Sequence, residues 1–215
     1  PQPTSYDYDA PLDEAGRPTP KYWKFRKMIA KYLPENVTIP DPPVPIPSIE
    51  IPPVEFHESA GLLDVTTEPI RSAHPLTMEE VGQSYGYMLY RTHIKAVVKG
   101  ELKIQELRDY GIIFLNGRKI ASLDRRHKQN RVAINITTVP SVLDILVENG
   151  GRINYGHDIN ENRKGITQQV TLDGKELTDW EIFRMPMDNI ADIPFAKSDT
   201  IAGPQFRRAT FALET

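Results

Sequence analysis

Residues 111–123 read GIIFLNGRKIASL, two short β-like runs on either side of the dipeptide Asn116-Gly117. Asn-Gly tolerates the positive φ angles of a type I′ turn, so this stretch predicts a β-hairpin. A second hairpin is predicted further along the chain, where Asp173-Gly174 separates the runs QVTL and KELTDW. The two hairpins together favour an antiparallel β structure for the residues around them.

The region around these hairpins contains eight short β-like runs within about 100 residues, separated by turn signals rather than by helical periods. The runs occupy residues 85–92, 102–105, 111–115, 118–123, 131–136, 142–147, 166–172 and 176–183. Such a pattern predicts a mainly β fold, an antiparallel β-sandwich or jelly roll, whose strand order the sequence leaves open. Residues 207–213, RRATFAL, predict one more strand with no evident neighbour, so we expect the chain to continue beyond it.

Proline divides the chain by composition. Of 19 prolines, 13 lie in residues 1–53 and eight of these in residues 34–53. That spacing forbids a helix in residues 34–53 and predicts a semi-rigid extended strap. We expect apolar side chains to hold the strap against a neighbouring domain, namely Val44, Ile46, Ile49, Ile51 and Val54. A proline-rich ligand for another protein is the alternative.

The residues before the strap predict one strand and one helix. Residues 4–9, TSYDYD, alternate aromatic and acidic side chains, which is typical of a strand that ends in a polar loop. Thr19-Pro20 supplies an N-cap and a proline at the first helical position. Apolar residues then recur every three or four positions up to Leu33, which predicts a helix of about 14 residues ended by Pro34. Because the chain starts Pro-Gln-Pro, we expect residues to precede it.

Charge and composition argue against several classes of function. A formal net charge of −3 gives no electrostatic reason to expect a nucleic acid or a membrane surface as partner, and no apolar run is long enough for a membrane span. The absence of cysteine excludes disulfides, thiolate catalysis and cysteine-ligated zinc. The five histidines show no metal-ligand spacing, so we predict no metal site. The basic residues within 125–131 are interpreted as a solvated loop.

Two stretches are candidate functional sites, and the first has the composition of a carbohydrate site. Tyr6, Asp7, Tyr8 and Asp9 combine aromatic rings, which pack on the C–H faces of sugars, with carboxylates and phenols that hydrogen-bond hydroxyls. An exposed strand end with solvated acids is the alternative. Two acids on one strand cannot easily flank a glycosidic bond from opposite faces, so Asp7 and Asp9 are not favoured as a catalytic pair.

The second stretch is residues 148–156, ENGGRINYG, in which Gly150-Gly151 makes a sharp turn. Arg152, Asn154 and Tyr155 then present a guanidinium, an amide and a phenol from one loop. Such a loop braces a neighbouring domain or lines a cleft, and a well-ordered turn without further function is the alternative.

Longer motifs resemble the β-galactosidases of glycoside hydrolase family 35, in chain order. They are PTSYDYDAPLDEAG (3–16), PKYWKFR (20–26), HPLTMEEVGQSYGYMLYRT (74–92), ELRDYGIIFLNGRKIASLDRR (106–126), LDILVENGGRINYG (143–156) and LTDWEIF (177–183). The resemblance implies the last strand and helix of a (β/α)₈ barrel in residues 1–33 and a strap in 34–60. It further implies a galactose-binding-like β-sandwich in 61–184, then a linker and the first strand of a second β domain in 185–215.

The resemblance also implies a function. Family members are retaining exo-β-galactosidases that hydrolyse terminal β-linked galactose with two glutamates on earlier barrel strands. No stretch here matches either glutamate motif, so we expect no catalytic residue in this chain and no activity from it alone. The implied partners are a β-galactoside carbohydrate and the rest of the barrel, with homo-oligomer formation left open and no cofactor. A periplasmic or secreted location is favoured for a bacterial member.

Three substrate-binding residues follow from the resemblance. Tyr8 matches a family tyrosine that lines the galactose pocket and hydrogen-bonds the sugar. Asp7 lies beside it, and Tyr155 approaches the pocket rim from the β domain. Two other functions stay open, namely a stand-alone carbohydrate-binding or interaction module of β-sandwich fold, and a structural β domain that supports the barrel and assembles the oligomer.

Overall fold

The structure, a computed structural model, describes residues 9–45, 47, 49–64, 68–197 and 203–212. The chain divides into two compact units, Pro1–Val54 and Glu55–Thr215. Within the described residues there is one α-helix, α1, at Pro20–Ile29. The strands are β1 Glu58–Gly61, β2 Ile70–Ser72, β3 Tyr87–Ile94, β4 Val98–Ile104, β5 Leu107–Arg108, β6 Tyr110–Leu115, β7 Arg118–Asp124, β8 Arg131–Ile136, β9 Ser141–Glu148, β10 Gly165–Ile166, β11 Val170–Leu172, β12 Lys175–Glu176, β13 Trp180–Met185 and β14 Gln205–Arg208.

Helix α1 begins where the sequence predicts but ends earlier. Thr19 is extended, with φ −86° and ψ 170°, and Pro20 occupies the first helical position. The helix has 10 residues rather than about 14. After Ile29 the backbone tightens, since the N–H of Lys31 donates to the carbonyl of Met28 and that of Tyr32 to Ile29. Pro34 restricts only the residue before it, Leu33, so it does not by itself set the end at Ile29.

The proline-rich segment contains no helix or strand in its described residues, as its proline spacing predicts. Its first part folds back on α1, where the Arg26 guanidinium donates to the carbonyl of Ile39 at 2.8 Å and pairs with Asp41 at 3.1 Å. Val44, Ile49 and Ile51 are exposed. Ile46 lies outside the described residues. The expected packing of these side chains on a neighbouring domain stays a prediction.

The second unit is an antiparallel β-sandwich, which confirms the predicted fold class. One sheet has six strands in the order β2-β13-β3-β9-β6-β7, and the other has four in the order β12-β11-β4-β8. Side chains from both sheets form the main apolar core, including Tyr90, Leu102, Ile145, Val170 and Trp180. The core therefore lies where strands that are far apart in sequence face one another.

The two predicted hairpins are confirmed. Asn116 and Gly117 have φ angles of 51° and 77° between the paired strands β6 and β7. Asp173 and Gly174 have φ angles of 49° and 77° between β11 and β12. Both turns use the left-handed conformation that the type I′ turn requires at its two central positions.

The six-stranded sheet is buried on both faces. On β9, the side chain of Ile145 belongs to the main core, whereas that of Leu146 belongs to a second apolar cluster with Leu89, Phe114 and Phe183. Leu62 is buried in the second cluster, and Phe206 packs against it. Burial on both faces explains why residues 142–147 do not alternate between apolar and polar side chains: all are apolar except Asp144, which pairs with Arg91 at 2.7 Å.

The structure shifts the bounds of several predicted strands, and three of the corrections change how strands pair. The C-terminal strand spans Gln205–Arg208 rather than 207–213, and it has a neighbour, because it pairs with β1 in a two-stranded sheet. The run 166–172 divides into β10, which pairs with β5, and β11, which pairs with β4. The run 176–183 divides into β12 and β13, with Asp179 at a positive φ of 60° between them. A local pattern cannot show that one apolar run contributes strands to two different sheets.

Candidate functional site

The first candidate site falls mostly outside the described residues. Tyr6, Asp7 and Tyr8 belong to the part of the chain for which no structure is described, so their assignment stays a prediction. Asp9 is an exposed turn residue rather than a strand residue. Its carboxylate pairs with the ammonium group of Lys21 at 2.5 Å, which holds the turn against the beginning of α1.

The second candidate site is a long loop between β9 and β10, residues 149–164, here called the Tyr155 loop. Tyr155 lies in its middle and is 90% exposed. The loop continues into a 3₁₀ turn at His157–Glu161, in which no residue is buried. Ile153 and Ile159 are also exposed. The loop therefore displays one aromatic and two aliphatic side chains to solvent.

Asp109 holds the two ends of the Tyr155 loop together. Its Oδ2 atom accepts a hydrogen bond from the N–H of Gly150 at 2.9 Å and another from Nζ of Lys164 at 2.5 Å. Arg125 adds a weaker contact to the other carboxylate oxygen at 3.4 Å. The Lys164 side chain is only 3% exposed, so its charge depends on Asp109 for compensation.

Glu79 and Arg152 brace the same loop at a second point. The guanidinium of Arg152 lies 2.6 Å from Oε1 of Glu79 and also donates to the carbonyl of Asn162 at 3.0 Å. Glu79 accepts the backbone N–H of Lys164 at 3.0 Å. Burial acts to raise the pKa of Glu79, but the Lys164 N–H and the Arg152 guanidinium outweigh it, and the pKa is lowered. Glu79 is therefore a carboxylate at neutral pH.

The braces change how the loop is interpreted. Three groups engage the Arg152 guanidinium, namely Glu79, Ser84 and Asn162, although the side chain is still 35% exposed. Tyr155 is exposed on a loop whose base is held at both ends. Such a loop can offer a ring face to a ligand while losing little conformational entropy on binding. Sequence reasoning did not single out Asp109, Glu79 or Lys164. Asp109 and Glu79 lie within stretches quoted for the family resemblance, but nothing in their local sequence shows that they contact this loop.

The basic run around residue 126 is compensated by acidic neighbours. Asp124 accepts the backbone N–H of Arg126 at 2.8 Å, and the two side chains pair at 2.7 Å. The Arg126 guanidinium is the main cause that lowers the pKa of Asp124 to about 2. This pairing agrees with the interpretation of the run as a solvated loop.

Within the described ranges, no cluster of three or more His, Cys, Asp or Glu side chains is arranged to hold a metal ion. A search of the same residues finds no helix with the length and apolar character needed to span a membrane.

Comparison with known proteins identifies the family. Residues 75–186 match the family described as beta-galactosidase, first all-beta domain, and residues 1–32 match glycosyl hydrolases family 35.

The beta-galactosidase of Xanthomonas manihotis is 41% identical over 100% of this chain and 36% of its own length. That of Bos taurus is 37% identical over 88% of this chain and 30% of its own. Beta-galactosidase-1-like protein 2 of Homo sapiens is 35% identical over 86% of this chain and 29% of its own length. The chain thus spans about a third of the length of these relatives. It belongs to glycoside hydrolase family 35.

Proposed function

We propose that the protein containing this chain is a retaining exo-β-galactosidase that hydrolyses terminal β-linked galactose. The observation that carries the proposal is the similarity to proteins named beta-galactosidase over 100% and 88% of the chain. The proposal assigns the acid/base and the nucleophile to glutamates on barrel strands outside these residues, since no stretch here matches either motif. A periplasmic or secreted location is part of the proposal.

In this proposal the chain contributes three residues to galactose binding. Tyr8 hydrogen-bonds the sugar, and Asp7 holds the loop beside it. Tyr155 forms part of the pocket rim. Its exposure and the two braces of its loop support that role, because a fixed aromatic ring can pack on the C–H face of a pyranose without first being ordered.

The first test is Tyr8→Phe in the enzyme that contains both the chain and the barrel. Loss of one hydrogen bond to the sugar is expected to lower kcat/KM for a chromogenic β-galactoside by ~1–3 kcal/mol, roughly 5- to 150-fold. The melting temperature is the control, because removal of one hydroxyl that contacts the sugar should leave it unchanged. An unchanged kcat/KM in Tyr8→Phe rejects the role of Tyr8.

The second test compares Tyr155→Ala with Tyr155→Phe in the same enzyme. If the ring packs on the sugar, alanine should lower kcat/KM by about 0.5–1.5 kcal/mol, roughly 2- to 12-fold. Phenylalanine keeps the ring, so it should retain most of the kcat/KM of the unmodified enzyme. Because the side chain is 90% exposed, neither variant should change the melting temperature. Equal kcat/KM values for the alanine variant and the unmodified enzyme would contradict a rim position.

A further inference from the structure

A polar pocket lies in the second unit between the segment 105–108 and the loop 125–130. Its volume is about 320 Å³, and all of its described lining residues except Leu107 have a polar or charged side chain. The charged ones are Glu106, Arg108, Arg125 and Lys128. Small-ligand sites commonly occupy ~300–1,000 Å³, so this pocket, here called the Lys128 pocket, has the size for one small ligand or for one group of a larger ligand.

The loop 125–130 is fixed by contacts that need no ligand. Asp124 caps the 3₁₀ turn that opens the loop, because its carboxylate accepts the N–H of Arg126 at 2.8 Å. The turn ends at Lys128, which has a φ of 56° and donates its backbone N–H to the carbonyl of Arg125 at 2.9 Å. The backbone that carries the Lys128 side chain is therefore in place before a ligand binds.

The Lys128 pocket carries more positive than negative charge. Three cationic side chains line it against one carboxylate, that of Glu106, which leaves a formal excess of two positive charges. Asp109 lies 3.4 Å from Arg125, but its other carboxylate oxygen binds the ammonium group of Lys164 at 2.5 Å, so these two buried charges cancel. The excess of positive charge in the pocket favours an anionic ligand and disfavours a cation.

The cationic side chains also keep N–H donors for a ligand. In the part of the chain that the structure describes, the Lys128 ammonium group has no hydrogen-bond or ion-pair partner. Arg108 lies 3.3 Å from Glu106 and donates to the carbonyl of Glu161 at 2.9 Å. These two contacts use two of the five N–H donors of its guanidinium. The pocket thus combines uncompensated positive charge with donors that are not yet engaged.

Phosphate, sulfate and carboxylate groups match this chemistry, because their oxygens carry negative charge and accept hydrogen bonds from ammonium and guanidinium groups. We propose that the Lys128 pocket binds one such oxyanion group, held by Lys128, Arg125 and Arg108. The proposal does not depend on the enzymatic function, since it follows from the charge and the donors of the pocket. The oxyanion is either a free ion or a group on a larger molecule, and the experiment distinguishes these two sources.

The experiment is a titration of the isotopically labelled full chain at constant ionic strength, in which amide shifts of residues 105–108 and 125–130 are followed by NMR. The probes are inorganic phosphate, inorganic sulfate, glucose 6-phosphate and glucose, with chloride as the reference anion. We expect phosphate and sulfate to shift these amides saturably with a Kd on the order of 1–10 mM, whereas glucose should not shift them. Tighter binding of glucose 6-phosphate than of phosphate would support a group on a larger molecule, and equal or weaker binding would support a free ion.

Substitutions at Lys128 make the test specific. Lys128→Gln removes the charge and should weaken phosphate binding at least about fivefold, whereas Lys128→Arg keeps the charge and should bind within about twofold of the unmodified chain. Arg126→Gln is the matched control, because it also removes a charge from this loop, but one that pairs with Asp124 at 2.7 Å and does not line the pocket. It should change the Kd less than about twofold.

Four results would each overturn the proposal. Neither phosphate nor sulfate gives saturable shifts up to about 100 mM, or chloride causes the same shifts as they do. Lys128→Gln binds phosphate as tightly as the unmodified chain. Arg126→Gln weakens binding as much as Lys128→Gln, which would show a general effect of charge rather than a site.

Discussion

Replacement of Gly165 by alanine is expected to lower the free energy of unfolding of the second unit by about 3–5 kcal/mol. Gly165 has a φ of +92°, and the Tyr90 hydroxyl occupies the place where a Cβ atom would be. Tyr90 is fully buried, and its hydroxyl donates to the carbonyl of Leu76 at 2.7 Å and accepts the N–H of Ile166 at 3.0 Å. Alanine would therefore add backbone strain, displace a core side chain and break two buried hydrogen bonds.

Chemical denaturation followed by the fluorescence of Trp180 measures this effect, in a Trp23→Phe background that leaves Trp180 as the single tryptophan. Gly117→Ala is the matched control. Gly117 also has a positive φ, +77°, but no atom lies within 4 Å of the added Cβ position. The control should lower the free energy of unfolding by only about 1–2 kcal/mol, which is the cost of an alanine at a positive φ. Equal losses in the two variants would show that the Tyr90 contact is unimportant.

Asp109→Ala is expected to lower the free energy of unfolding by about 3 kcal/mol. It leaves the buried ammonium group of Lys164 without its carboxylate and removes the acceptor of the Gly150 N–H. The loss should be accompanied by faster hydrogen exchange in the Tyr155 loop, because Asp109 joins its two ends. Denaturation and exchange measured by mass spectrometry would test both effects.

The double variant Asp109→Ala, Lys164→Met distinguishes two causes of the stability lost in Asp109→Ala, namely the isolated charge of Lys164 and the lost hydrogen bond to Gly150. Methionine fills much of the volume of lysine without a charge, so the double variant should regain a large part of the stability that the single variant loses. It should not restore the slow exchange of the loop, since the acceptor for Gly150 is still missing. A double variant no more stable than Asp109→Ala would rule out the isolated charge as the cause.

The sequence predicted those parts of the fold that depend on local signals. The hairpins at Asn116-Gly117 and Asp173-Gly174 could be located because both residues of each pair tolerate positive φ. The pairing of β1 with β14 could not be predicted, because it joins the distant residues Glu58 and Arg208 and neither strand shows a strong alternation of apolar and polar side chains. Nor could periodicity show that 166–172 divides between two sheets, because the break depends on partners elsewhere in the chain.

The candidate site could be predicted only in part. Tyr155 was identified through the family resemblance, and its exposure is compatible with the suggested role without testing it. Arg152 was expected to be presented with it, but the distant Glu79 engages its guanidinium. No local pattern shows that Asp109 and Lys164 pair, because the pairing joins positions 55 residues apart.

The outer face of the six-stranded sheet has a consequence for where the sandwich can be cut. Leu89, Phe114, Leu146 and Phe183 lie in a cluster that includes Leu62 and is contacted by Phe206. The family match, by contrast, begins at residue 75 and ends at residue 186. A protein excised at those limits would lose Leu62 and Phe206 and expose an apolar sheet face, which favours aggregation. Leu62 and Phe206 therefore belong to the sandwich, although both lie outside the family match.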